Sequence, residues 1–264
     1  MQPNNSDTVR QAYGEIASQQ QDECCGSGGC GHCGDAPAMQ AAPGAGAISF
    51  PASTAGLSCG NPVELARLQP GETVLDLGSG AGRDVISAAR MVGKTGKVYG
   101  VDFSREMLAL SRDAEQQLRD NESLFNTEFR EGDIQDLPFF NGSIDVVLSN
   151  CVLNLAPDRA RAFSEAHRVL RPGGRLVVSD LVVEDCEGKA GLAGREDASA
   201  AYASALSCES YIQLLQDAGF TGVQVLRLNR YAAGQCEGDP VTTPIQDLLL
   251  AHAASITLMA FSSR

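Results

Sequence analysis

The sequence has no tryptophan, only three histidines, and few basic residues for its acidity. Its 20 lysines and arginines stand against 33 aspartates and glutamates, which gives a formal net charge of -13. Binding to a phosphate backbone depends on lysine and arginine, so this balance argues against a nucleic-acid substrate or partner. Neither a histidine nor a glutamate stands at a spacing that predicts a general base.

The sequence also lacks an uninterrupted apolar stretch of the about 20 residues that a membrane helix requires. Residues 1–22 are too polar for a signal peptide, so we expect a cytoplasmic protein without a membrane partner. In the cytosol its nine cysteines should be mostly reduced, which favours thiol chemistry or metal ligation over a disulfide framework. A chain of 264 residues is long enough to bury one substantial core.

The most informative motif is a glycine-rich turn within residues 74–82, which read VLDLGSGAG. A short apolar run leads into Asp76 and the turn, and a helix-compatible run follows at residues 84–91. This order lets backbone N–H groups and a helix N-terminus face a ligand without side chains in between. A second apolar run ends in Asp102, whose carboxylate is placed to accept both hydroxyls of a ribose. Together the two segments predict a nucleoside-binding crevice.

The spacing of the glycines distinguishes between possible nucleosides. A dinucleotide fingerprint reads G-x-G-x-x-G, whereas Gly78, Gly80 and Gly82 give G-x-G-x-G. A tight strand-to-helix turn without a ligand would also explain the glycines alone. With Asp76 in front and Ser79 within it, however, the turn resembles the first motif of the class I S-adenosylmethionine (SAM) methyltransferases. We therefore expect SAM rather than NAD as the cofactor.

This resemblance implies further cofactor-binding residues. In class I methyltransferases an acidic residue after the third strand accepts the adenine amino group and an apolar neighbour packs on the ring, roles that Asp133 and Ile134 fit. A loop aspartate that caps a turn is the alternative for Asp133. Met107 is placed to cover one face of the adenine, although packing in a helix core explains it equally well.

The alternation of strand and helix patterns from residue 63 onward predicts the fold class. We expect an α/β, doubly wound, Rossmann-like class I methyltransferase sheet that ends in an antiparallel strand pair. A proline and two glycines at residues 171–174 predict a turn before the fifth strand. Residues 56–264 would form the SAM-binding catalytic domain, and residues 1–55 a helix around residues 7–20 and a flexible Cys/Gly-rich segment. The predicted strands are 73–77, 97–102, 127–131, 144–149, 175–180, 222–228 and 255–261, and the predicted helices are 83–91, 105–121, 159–170 and 209–218.

Two cysteines lie in distinctive segments. Cys59 lies in GLSCGNP at residues 56–62, and Cys151 lies in SNCVLNLAPD at residues 149–158. The second segment resembles the S-N-C-V-[IL]-N-L-x-P-D run of the arsenite methyltransferases. The glycine turn with the Arg-Asp that follows it, the run VLRPGGRL at residues 169–176 and Tyr13-Gly14 also match that family.

The resemblance implies that Cys59 and Cys151 hold trivalent arsenic beside the SAM methyl group. Soft thiolates suit this thiophilic centre, and two sulfur ligands leave arsenic a lone pair that can attack the methyl carbon. The activity would be SAM-dependent arsenic methylation with an external thiol reductant, glutathione or thioredoxin. A small buried apolar role is the alternative for each cysteine.

One position departs from the family pattern. Ala201 stands where the family commonly has a third cysteine, and Cys208 and Cys186 lie nearby in a different register. Cys208 is the candidate for a third arsenic ligand. If only two thiols take part, the enzyme should prefer monosubstituted arsenicals such as methylarsenite, which offer two positions to thiolates.

The cluster at residues 24–33, CCGSGGCGHC, contains four further cysteines and His32. Arsenic capture or relay, a flexible tail and a structural zinc site are all compatible with it. Two rival functions follow from the whole sequence: a class I methyltransferase of another small metabolite, and a thiol-rich arsenic or metal binder. His167 and His252 are expected to be structural or solvent-facing.

Overall fold

The computed structural model describes residues 48, 50, 58–183, 205–230 and 253–263. The predicted N-terminal helix, the cysteine cluster at residues 24–33, Cys186, Ala201 and His252 lie outside these residues, and the division at residue 55 stays a prediction. Among the described helices, none combines the length and apolarity that a bilayer crossing requires.

The described elements alternate between strand and helix. In chain order they are α1 Pro62–Leu65, β1 Thr73–Leu77, α2 Arg83–Val92, β2 Lys97–Asp102, α3 Arg105–Glu122, β3 Thr127–Glu131, β4 Ile144–Asn150, a 3₁₀ turn Leu153–Leu155, α4 Arg159–Val169, β5 Leu170–Val183, β6 Leu206–Ser207, α5 Cys208–Asp217, β7 Phe220–Arg230 and β8 Ala253–Ser262. Polar caps set several helix starts: the side chains of Ser104, Asp158 and Ser207 accept N–H groups in the first turns of α3, α4 and α5.

One sheet organises the molecule, with the strand order β3-β2-β1-β4-β5-β8-β7 and the short β6 paired with β5. Strands β1 to β5 pair in parallel, and β8 pairs antiparallel with both β5 and β7. The predicted doubly wound sheet with a terminal antiparallel pair is confirmed. The bounds of β1, β2 and β3 are those expected from the sequence, because short apolar runs between turn signals define them.

The fifth strand is longer than predicted. The segment 171–174 was expected to form a turn, yet β5 begins at Leu170, which pairs with Ile144. A register shift between Ile144 and Val146 absorbs the irregular Pro-Gly-Gly segment, so the strand continues through it with Gly173 at φ 72°. The segments α1, β6 and the 3₁₀ turn were not predicted, because two to four residues are too short to show a hydrophobic period.

The core consists of two apolar clusters, and alternate residues of β1 contribute to each of them. Leu75 and Leu77 pack with Phe163 of α4, whereas Val74 packs with Ile86 of α2 and Leu118 of α3. Because successive side chains of a strand point to opposite faces, helices cover both faces of the sheet. Ligands of such sheets bind beyond the carboxyl ends of the parallel strands.

The side chain of Arg175 joins the start of β5 to the segment before β1. Its guanidinium donates to both carboxylate oxygens of Glu72, at 2.8 and 2.9 Å, and to the carbonyl oxygens of Ala66 and Arg67. Burial raises the pKa of Glu72, but hydrogen bonds from Arg175 and from the N–H of Gln69 outweigh it and leave the pKa below its ordinary value.

We expect Arg175→Met to lower the free energy of unfolding by about 2 to 4 kcal/mol, because it leaves a largely buried carboxylate unpaired. A lowered folded-state pKa stabilises the protein above the unfolded-state pKa of Glu72, and this stabilisation is lost as the pH falls through the folded-state value. The deficit of the variant should therefore be full at pH 7 and shrink in acid, as measured by denaturant unfolding across pH.

Arg105→Met is the matched control, because Arg105 pairs with Glu131 while 79% of its own side chain and 42% of that of Glu131 stay exposed. Exposed pairs contribute about 1 kcal/mol or less. Equal losses for the two variants at pH 7 would contradict the role assigned to Arg175.

Candidate active site

The glycine-rich turn joins β1 to α2 at the carboxyl edge of the sheet. Gly78, Gly80 and Gly82 all have positive φ, at 65°, 50° and 91°, which explains the choice of glycine. The N–H of Ser79 donates to the carbonyl oxygen of Val101, which fixes the turn against β2. A Cβ added to Gly80 would meet nothing within 4 Å, so the backbone of the turn faces open space.

A cavity of about 410 Å³ lies above this turn. Of the residues that the sequence predicted for the cofactor, those that line it are Asp76, Gly78, Ser79, Gly80, Asp102, Met107, Asp133 and Ile134. Gly82 is not among the lining residues. It precedes α2, and a Cβ there would lie 2.8 Å from the ring of Phe129, so Gly82 serves close packing instead.

Asp102 lies at the end of β2, is 6% exposed, and supports the turn directly. One carboxylate oxygen accepts the N–H of Gly80 at 2.8 Å, and the other accepts the N–H of Ser104 at 2.8 Å. Asp133 is exposed, and the backbone and side-chain amides of Gln135 occupy its carboxylate oxygens. The carboxylate of Asp102 is thus held more rigidly than that of Asp133.

The floor of the cavity is acidic. Burial raises the pKa of Asp76 well above its ordinary value, and the neighbouring Asp84 and Asp102 raise it further. Burial also raises the pKa of Asp84, while Asn150 and Arg83 oppose this shift. Since carboxylates in a partly dry cavity favour a cationic partner, this arrangement suits a ligand that carries positive charge.

The structure brings Cys59 and Cys151 together, although 92 positions separate them in the sequence. Their Cα atoms are 5.7 Å apart and the two sulfurs are paired as a disulfide, whereas the sequence suggested reduced thiols. Cys151 has a positive φ of 57° and lines the cavity. Ser58, the neighbour of Cys59, also lines the cavity. After reduction the same separation lets two thiolates chelate one thiophilic atom.

Asp180 completes a group that the sequence analysis missed. Its carboxylate and the sulfurs of Cys59 and Cys151 all lie within 4.8 Å of one another. The carboxylate accepts hydrogen bonds from the backbone and side chain of Asn154, from the N–H of Leu181 and from the hydroxyl of Tyr211. Burial raises the pKa of Asp180 to about 6, although these donors oppose the shift. The predicted strand 175–180 ends at Asp180, but this position alone did not indicate that two distant sulfurs would lie beside it.

Cys208 is outside this group among the residues that the structure describes. It is the first residue of α5 and packs, partly buried, beside the core. Burial raises the pKa of its thiol, and Glu209 raises it further, which disfavours the thiolate that binds soft metals. Neither the position of Cys208 nor the raised pKa of its thiol therefore supports the predicted ligand role. His167 is 6% exposed and packs on Phe220, in the structural role expected for it.

Comparisons with known proteins agree with a methyltransferase fold. Residues 68–219 match a family model described as a methyltransferase domain. An arsenite methyltransferase of Halobacterium salinarum is 39% identical over 229 residues, which cover 82% of this chain and 57% of that protein. A demethylmenaquinone methyltransferase of Oceanobacillus iheyensis is 38% identical over 110 residues, which cover 42% of this chain and 44% of that protein.

Among solved structures, an arsenic(III) S-adenosylmethionine methyltransferase from Chlamydomonas reinhardtii superposes with a TM-score of 0.61 at 29% identity. The match covers 96% of this chain and 73% of that one. The chain spans little more than half the length of the Halobacterium relative.

Proposed function

Because this chain belongs to the methyltransferase-domain family, we propose that it transfers the methyl group of SAM to trivalent arsenic held by Cys59 and Cys151. One observation carries the proposal: Cys151, which meets Cys59, lines the same cavity as the glycine turn. A donor bound on the turn and an acceptor bound by the thiols would then face each other. Alignment of two reactants in this way supplies much of a catalytic rate enhancement.

The cavity residues fit SAM. Its ammonium and sulfonium charges suit the acidic floor around Asp76 and Asp84, and Ser79 Oγ is buried without a hydrogen-bond partner among the described residues. Asp102 would hold the ribose hydroxyls, and Asp133, Ile134 and Met107 would hold the adenine. When bound, SAM supplies an electrophilic methyl carbon. The residues around it would orient this carbon toward the cysteine pair.

The thiols hold the acceptor. Cys59 and Cys151 would hold trivalent arsenic as thiolates and leave its lone pair available for the methyl carbon, and SAM would supply that carbon and keep the electron pair of its methyl–sulfur bond on its own sulfur. Arsenic is thereby oxidised from the trivalent to the pentavalent state. An external thiol, glutathione or thioredoxin, is the reductant that we propose for the return to the trivalent state.

We further propose a preference for monosubstituted arsenicals. The described cluster offers two sulfurs and one carboxylate, and Ala201 stands where the arsenite methyltransferases that the sequence resembles commonly have a third cysteine. A methylarsenical has two positions for thiolates, so two cysteines satisfy it, whereas arsenite has three.

A turnover assay on the full chain tests both proposals. Reduced protein, SAM and glutathione or thioredoxin are incubated with arsenite or methylarsenite, and the arsenicals are separated by chromatography and quantified as arsenic. Turnover of methylarsenite well above that of arsenite is the expected result. Equal turnover would contradict the preference, and no methylated product from either would contradict the assignment. A small-metabolite methyltransferase, as in the quinone relatives, would then take its place.

Gly78→Ala is expected to weaken the binding of sinefungin, a SAM analogue that transfers no methyl group, by about tenfold or more. The added Cβ would overlap the side chain of Val152, with Cγ1 at 2.7 Å, so the turn or this cavity wall must shift. Gly93→Ala is the matched control, because Gly93 has nearly the same φ, 66°, but nothing within 4 Å of an added Cβ. Both variants lose stability because residues with a Cβ disfavour a positive φ. Equal sinefungin affinities, measured by calorimetry, would contradict the proposed cradle.

A further inference from the structure

We propose that Asn150 is a positioning residue that couples occupancy of the cofactor cavity to the binding of arsenic by Cys59 and Cys151. The inference rests on the proposed function and concerns a residue to which neither the family match nor the similar proteins assign a role. The side chain of Asn150 connects two halves of the site, namely the segment that carries Cys59 and the cavity proposed for the cofactor.

Asn150 is held firmly between these two halves. It is the last residue of β4, it pairs with Ser179 of β5, and the N–H of the next residue, Cys151, donates to the carbonyl oxygen of Ser179 at 2.9 Å. Its position thus fixes the backbone that presents the Cys151 thiol. A displacement of this side chain is not needed for coupling, because its amide already reaches both the segment that carries Cys59 and Asp84 at the start of α2.

The amide group of Asn150 binds the segment that carries Cys59. Its Oδ1 accepts the N–H of Cys59 at 3.2 Å, and its Nδ2 donates to Ser58 Oγ at 2.9 Å and to the carbonyl oxygen of Gly60 at 3.0 Å. The segment approaches the sheet so closely that a Cβ on Gly60 would lie 2.8 Å from Ser179 Oγ. These three contacts join the Cys59 segment to the strand that ends beside Cys151.

The same Nδ2 also donates to Asp84 Oδ2 at 3.0 Å, on the cofactor side of the cavity. A carboxamide nitrogen has two hydrogens, so Ser58, Gly60 and Asp84 are three acceptors for two donors. Each contact is therefore shared, and Asp84 draws donor capacity away from the Cys59 segment. Both Asp84 and Asn150 line the cavity in which the cofactor would bind.

A cation in the cavity changes this distribution. Asp84, whose pKa is raised by burial, gains a charged partner when an ammonium group occupies the acidic floor. Both Nδ2 hydrogens are then available to Ser58 and Gly60, which orders the segment that presents Cys59. The expected sign is positive: the cofactor analogue tightens arsenical binding, and by linkage the arsenical tightens analogue binding.

The test measures this coupling on the reduced full chain without turnover. Phenylarsine oxide, a monosubstituted trivalent arsenical, is titrated with and without saturating sinefungin, and the ratio of the two dissociation constants is the coupling factor. For the wild type we expect about fivefold or more, the lower range of typical allosteric couplings. For Asn150→Asp, which keeps the Oδ1 acceptor but loses both hydrogens, we expect a factor within about twofold of unity.

A second variant and a control separate coupling from general damage. Ser58→Ala leaves two acceptors for two hydrogens, so the competition disappears and the coupling factor should also fall toward unity, even if Asn150→Asp fails to fold. Asn141→Asp makes the same chemical change at an exposed position, where Asn141 Oδ1 accepts from Arg168, and should keep the wild-type factor.

The outcomes distinguish this inference from the proposed function. A wild-type factor near unity, or full coupling in Asn150→Asp or Ser58→Ala, would overturn the role of Asn150 while arsenical binding itself stands. If the wild type bound no phenylarsine oxide with or without sinefungin, the proposed function would fail and the inference with it.

Discussion

Replacing Cys151 with serine should reduce SAM-dependent methylation of methylarsenite by roughly three orders of magnitude. Correct placement of two reactants can contribute about 7 kcal/mol or more to catalysis, and loss of about 4 kcal/mol of this corresponds to roughly 1000-fold. Serine is similar in size to cysteine and should adopt the φ of 57° about as readily, but its hard oxygen is a poor ligand for a thiophilic centre. The rate of product formation at saturating SAM is the measurement.

Cys208→Ser provides the comparison for this experiment. Cys208 is the described free cysteine, and it lies outside the group formed by Cys59, Cys151 and Asp180. Its replacement should leave the rate within about twofold of the wild type, because Cys208 neither joins this group nor lines the cavity. A loss as large as that of Cys151→Ser would identify Cys208 as a third ligand. Full activity of Cys151→Ser would reject the thiol site.

Replacing Asp102 with alanine should weaken sinefungin binding by about 100-fold. The variant loses the acceptor for the N–H groups of Gly80 and Ser104 and the proposed acceptor for the ribose hydroxyls. Hydrogen bonds to charged groups contribute about 1.5 to 3 kcal/mol each, and two of them account for an effect of this size. Calorimetric titration gives the affinity, and the thermal unfolding midpoint shows whether the fold persists.

Asp133→Ala should have a smaller effect on the same affinity, about tenfold or less. Asp133 is exposed, and the amides of Gln135 bind its carboxylate, so its contribution to a ligand is screened by water and shared. Equal losses for Asp102→Ala and Asp133→Ala would contradict the assignment of the ribose to Asp102. Unchanged affinity of Asp102→Ala would contradict the nucleoside site itself.

Much of the fold was predictable because local patterns define it. The apolar runs of β1, β2 and β3 stand between turn signals, and polar residues such as Ser104 and Asp158 cap the helices that follow. The start of β5 was mispredicted for the opposite reason. The Pro-Gly-Gly segment has the local chemistry of a turn, but pairing with β4 carries the strand through it.

The candidate site divides in the same way. The placement of the glycine turn, Asp102 and Cys151 around one cavity was predictable, since each follows a strand or lies in a distinctive segment, whereas their roles stay predictions. The carboxylate of Asp180 was not assigned, because its importance depends on two sulfurs from distant parts of the chain. The packing role of Gly82 depends likewise on the ring of Phe129, which comes from another strand.

The sequence by itself determined the class of the sheet, the glycine-rich turn that we propose as the nucleoside site, and the two cysteines as candidate ligands. Each of these depends on the spacing of residue types along the chain, because hydrophobic periodicity and backbone geometry relate that spacing to strands, helices and turns. Only the tertiary structure decided which groups meet. Cys59 meets Cys151 across 92 positions, and Asp180 lies beside both. Asn150 lies between the segment that carries Cys59 and Asp84. These contacts arise from the packing of distant segments, which no local pattern encodes.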